Sequence, residues 1–136
     1  ARDIGFVDLT RPDCVPVVEF YQGRAVKSLS LCALELALNE QAHVVPGRSF
    51  RLHGRVIPLD EGSAVRVQLP AKDTLAYIPF HDLLAAKVSA GTFAGKVVIL
   101  GYDGAKIHSL KTPAGDLKAH RLFVHSLEAL YRQLTD

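Results

Sequence analysis

The chain has 136 residues, 49% of them hydrophobic and 22% charged, and 16 basic against 14 acidic side chains leave a formal charge of +2. A single domain's length, ample aliphatic residues for one packed core and near-neutral charge exclude a disordered chain, a fibrous repeat and a strongly basic nucleic-acid module. The longest apolar run, residues 29–38, is interrupted by Ser30 and Glu35 and falls short of the ~20 residues that cross a bilayer.

Residues 4–9 read as a short strand that Arg11-Pro12-Asp13 breaks, because proline fixes its own φ and disfavours helix in the residue before it. Residues 15–21 read as a second strand ended by Gln22-Gly23. Ser28 is an N-cap for a helix over about 29–40. That helix is apolar on nearly every side, so it must be buried or covered. After a turn at Val45-Pro46-Gly47, Phe50, Leu52, Gly54 and Val56 alternate with Arg51, His53 and Arg55. Beyond a second turn at 58–62, Val65, Val67 and Leu69 alternate with Arg66 and Gln68. Such alternation predicts a hairpin of these two runs with one apolar and one basic face.

Pro79 opens a predicted helix over about 79–88. Val97-Val98-Ile99-Leu100 is a continuous apolar run that suits a central strand buried on both faces, over 96–101. A loop with several glycines leads to a last helix over about 119–134, with Phe123, Leu127, Leu130 and Leu134 on one face. The fold expected is α/β, with mixed α+β as the alternative, in layers around a mixed sheet. Residues 1–136 form a single domain without internal repeat or linker.

Ligands in open α/β sheets sit beyond the carboxyl ends of strands. A ligand site is therefore expected after residue 100, lined by Tyr102, Asp103, His108, Lys111 and Thr112, with His125 as a neighbour. Lys106, Lys111 and Lys118 bias the field there towards an anion. A histidine at 108 would make binding tighten as pH falls between about 8 and 5. Arg51, His53, Arg55 and Arg66 offer a second face, either solvated or an interaction surface for an acidic partner.

No dinucleotide fingerprint, phosphate loop or nucleophile elbow is present. His120 and His125 are five apart and do not make a helical metal pair. No catalytic group, metal or cofactor is expected, and the absence of stacking aromatics beside the basic residues argues against nucleic acid. Cys14 and Cys32 read as two separate thiols or as an extracytoplasmic disulfide. The absence of methionine suggests an excised piece of a longer protein. The apolar helix over 29–38 suggests self-association.

The pieces together resemble the C-terminal half of the type-two CHASE domain, the cyclase/histidine-kinase-associated sensory extracellular module. They are Gly5-Phe6-Val7-Asp8 with Pro12-Asp13, Ser28-Leu29 opening an apolar helix, and Ile57-Pro58-Leu59-Asp60. Ile78-Pro79 with Asp82-Leu83-Leu84 follows, then Gly95-Lys96-Val97-Val98-Ile99-Leu100-Gly101, Thr112-Pro113-Ala114-Gly115 and Val124-His125. Where the family has aspartate four residues before Thr112, this chain has His108. The resemblance implies an extracytoplasmic, periplasmic sensory domain of an inner-membrane receptor. Flanking transmembrane helices and a cytoplasmic cyclase, diguanylate cyclase or kinase would lie outside these residues, with a homodimer possible. The alternatives are a protein-interaction module using the basic hairpin face and a small anion-binding α/β domain.

Overall fold

Ser28 caps a helix at Leu29–Leu38 (α1), its Oγ accepting the Leu31 amide at 3.0 Å, and Asn39 closes it in the left-handed region at φ 50°. The structure, a computed structural model, describes residues 4–136. Glu35 is buried on α1, where Lys27 Nζ donates to both its carboxylate oxygens at 2.8–2.9 Å and the Ala42 amide donates at 2.8 Å. This satisfies an acid that would otherwise be costly inside the protein.

Around α1 stand short antiparallel strands. Cys14–Pro16 (β1) pairs with Ala64–Arg66 (β7), and Val18–Tyr21 (β2) pairs with Arg24–Lys27 (β3). His43–Val45 (β4), Ser49–Leu52 (β5) and Arg55–Pro58 (β6) form a three-stranded antiparallel sheet with β5 in the middle. Ser109–Thr112 (β8) and Gly115–Lys118 (β9) form a separate hairpin. Between β7 and β8 lie a one-turn helix at Phe80–Leu84 (α2) and a 3-10 turn at Ala90–Phe93. The long helix Ala119–Thr135 (α3) packs across the core. That core joins Val15, Val17, Leu31, Leu34, Phe50, Leu52, Ile57, Val65 and Val67 to Leu130 and Leu134 of α3.

Helices and strands are mixed along the chain, as the α/β expectation holds, and α1 and α3 stand where predicted. Several finer expectations are corrected. Residues 4–9 form no strand, only a parallel bridge between Phe6 and Ser28. The strand expected over 15–21 is broken at Val17, whose amide donates to Ser63 while its carbonyl accepts from Ser28. The hairpin expected between residues 50–56 and 65–69 does not form. His53 and Gly54, at φ 52° and 70°, instead make a tight two-residue turn that folds β5 onto β6, and β7 pairs with β1. The helix expected over 79–88 is one turn long.

The largest departure is at 96–101. No strand forms there, and Val98 and Leu100 are 56% and 76% exposed. A central strand needs neighbours on both edges, and no other segment of the described residues supplies one.

Candidate functional site

Arg121 and His125 are four residues apart on α3, so they share one face. Both reach one carboxylate. Asp73 Oδ2 accepts from Arg121 Nη1 at 3.0 Å, and Asp73 Oδ1 lies 2.9 Å from His125 Nε2. Asp73 is set by its own turn, its Oδ1 also accepting the Leu75 amide at 3.2 Å. Burial on its own would raise the Asp73 carboxyl, but the bonds from His125, the Leu75 amide and Arg121 outweigh it and hold it below the usual carboxylate range. His125 is only 2% exposed, and its Nδ1 is buried with no partner among the described residues.

The clasp extends outward. The Arg121 guanidinium lies 3.6 Å above the Tyr77 ring, a cation–π contact, and Tyr77 meets His120 edge-on. Burial pushes the Tyr77 hydroxyl up, against the opposing pull of Arg121. Asp103 approaches Arg121 at 3.9 Å and Lys118 at 3.8 Å, and Lys118 donates to the Gly104 carbonyl. These contacts tie residues 73–77 and 103–104 to the first half of α3.

His125 also lines an open groove of about 830 Å³ between the chain following β7, the β8–β9 hairpin and α3. Val67, Leu69 and Pro70 give it an apolar wall, Lys111 and Arg132 bring positive charge and Asp13 and Glu128 negative charge. Arg132 is paired with Glu128 at 2.6 Å and Asp13 lies 3.8 Å from Arg66, which leaves Lys111 without an ion-pair partner among the described residues. An apolar cleft with a few convergent polar groups is the usual form of a small-ligand site.

The expected ligand residues are therefore divided. Lys111 and His125 meet at this groove. Asp103 belongs to the ion pairs beside Tyr77, not to a ligand pocket. Thr112 closes the β8–β9 turn, its Oγ1 donating to the Gly115 carbonyl and accepting the Ala114 amide. Tyr102 and His108 are exposed and line neither the groove nor the clasp. The proposed basic face is divided as well. Arg51 and Arg55 stand on β5 and β6 and His53 in the turn between them, while Arg66 lies on β7 beside Asp13 at 3.8 Å.

Asp73 was invisible to pattern reading, because it sits in an irregular stretch 48 and 52 residues from its partners. The four-residue step from Arg121 to His125 was the available signal. Among the described residues no group of three or more His, Cys, Asp or Glu is placed to hold a metal ion, and no helix is long and apolar enough to cross a membrane. The chain matches no family model, no curated protein and no solved structure.

Proposed function

We propose that the protein is a sensory, signal-input domain of the type-two CHASE kind, held outside the cytoplasm by a membrane receptor and acting on a cyclase, diguanylate cyclase or kinase elsewhere in that receptor. In this reading it binds a small anion with an apolar body and turns nothing over. The observation that carries the reading is that His125 belongs at once to the groove and to the Asp73 clasp on α3. An anion drawn in by Lys111 sits beside the imidazole that holds Asp73, so occupancy alters a contact that fixes α3, the helix whose Leu130 and Leu134 enter the core. The order of motifs from Gly5 to His125 supports the family assignment, and Lys111, which makes no ion pair among the described residues, supports an anionic ligand.

Titration of the 136-residue protein with a panel of short-chain and aromatic carboxylates, followed by NMR shifts of α3 amides, tests this. At least one is expected to bind, shift His125 and its neighbours, and bind about tenfold more weakly to Lys111→Gln, one lost charge-assisted contact being worth on the order of 1.5 kcal/mol. Shifts confined to the hairpin of β5 and β6, or consumption of the added compound, contradict it. Fusion of the parent protein to a reporter active only after export separates the location from the ligand, and a reporter active only in the cytoplasm overturns the sensory assignment.

A further inference from the structure

We infer that the outward face of the β4–β5–β6 sheet, centred on Arg51, is a docking surface for an acidic segment of a partner protein. Residues 42–59 carry Arg48, Arg51 and Arg55 with His43 and His53, and no aspartate, glutamate or lysine. The sheet turns Phe50, Leu52 and Ile57 into the core, so its other face stands on a packed platform. Strand register sets His43, Arg51 and Val56 in one row across that outer face, with Val45 and Pro58 in the next. All five are exposed. Arg48 and Arg55, also exposed, flank β5 at its two ends.

Charge defines what this face meets. Lys27, Arg66, Lys118, Arg121 and Arg132 each face a carboxylate of the chain itself. Arg48, Arg51 and Arg55 have no ion pair and no side-chain hydrogen bond to another described residue. Asp60, just past the segment, is taken up by Arg11, and Glu61 abuts the turn at Gly47, so the uncompensated charge lies towards Arg51 and Arg55. Guanidinium forks match carboxylates in pairs, and protein interfaces are enriched in arginine and poor in lysine, as this face is. Val45 and Val56, exposed between the charges, add apolar contact. A lipid headgroup layer or a single-stranded nucleic acid calls for aromatic side chains to seat or stack, and the one aromatic of residues 42–59, Phe50, is fully buried. None of these residues lines the groove beside His125, so the surface is separate from the anion site.

Titrating the 136-residue protein with a synthetic glutamate-rich peptide carrying valine spacers, and with its glutamine counterpart, tests this by NMR and calorimetry. The glutamate peptide is expected to shift the amides of His43, Arg51 and Val56. It should bind at least about tenfold more tightly than the glutamine peptide, and more weakly as salt rises. Arg51→Glu/Arg55→Glu should bind it at least about tenfold more weakly with an unchanged unfolding midpoint. Arg24→Glu, on β3 at another exposed arginine without an ion pair, should lose less than about twofold. No binding, equal binding of the glutamine peptide, full affinity in the double variant or an equal loss in Arg24→Glu overturns the inference. So do shifts at Lys111 and His125 in place of the sheet, which would seat the acid in the groove. Adsorption to phosphatidylglycerol vesicles or single-stranded RNA through Arg51 and Arg55, with no peptide binding, gives the face to another class of partner and overturns it equally.

Discussion

Two regions of similar apolarity behave differently. Residues 14–67 and α3, with Leu117 just before α3, contain every buried side chain among the described residues, whereas no residue between 68 and 116 is buried, although that stretch holds Leu75, Ile78, Phe80, Leu83, Leu84, Val97, Val98, Ile99 and Leu100. Composition does not separate them. Partners do. In the first region each short strand finds a neighbour, and side chains of β1, β5, β6 and β7 share one core with α1 and α3, so burial accumulates cooperatively. In the second, apolar residues have no facing layer, and the segment is held mainly by the polar clasp of Asp73, Arg121, Tyr77 and Asp103.

The largest expected effect is at the centre of the first region. Phe50 is fully buried, and Phe50→Ala should cost about 3–5 kcal/mol in urea unfolding. Leu100→Ala, measured at high dilution, should cost less than about 0.5 kcal/mol. Equal costs would break the contrast.

The clasp comes next. Asp73→Ala leaves the buried His125 and the Arg121 guanidinium without their acceptor, and should cost about 2–3 kcal/mol. Its pH signature has a definite sign. The Asp73 carboxyl is held low in the folded protein, so its contribution is complete above the unfolded carboxylate pKa of about 4 and is lost as pH falls through the lower folded value. Between about pH 5 and pH 2 the wild type should lose more stability than Asp73→Asn. Parallel acid limbs would show that the clasp contributes nothing ionic.

Gly5 sharpens the boundary of the first region. A Cβ there would stand 2.5 Å from the Leu29 amide nitrogen, a backbone atom that cannot turn aside, and Gly5→Ala should cost about 2 kcal/mol. Ser28→Ala removes the α1 cap and should cost about 1 kcal/mol, read from the same unfolding curves.

Legibility followed the same division. Ser28 announced α1, and the spacing of Phe123, Leu130 and Leu134 announced α3, because helix caps and helical periodicity are local signals. Strand pairing is not local. Alternation marks residues 50–56 and 65–69 as half-buried but does not reveal the positive-φ turn at His53 and Gly54, which splits the first run into β5 and β6 and leaves β7 to pair with β1. The run at 97–100 has the composition of a central strand, and its exposure reflects the absence of neighbours among the described residues. In the candidate site, Lys111 and His125 were legible from charge and position, whereas Asp73 depends on a tertiary contact with α3 that no spacing encodes.

Native-state hydrogen exchange on the wild-type chain at low micromolar concentration tests the contrast most directly. Amides of Leu31, Phe50, Leu52, Val65 and Leu130 should exchange only through global unfolding, while those of Val98, Ile99, Leu100 and Tyr102 exchange at nearly the unprotected rate. Protection of the second group approaching that of the first would contradict the account, since it would mean that the stretch from 68 to 116 belongs to the same cooperative core.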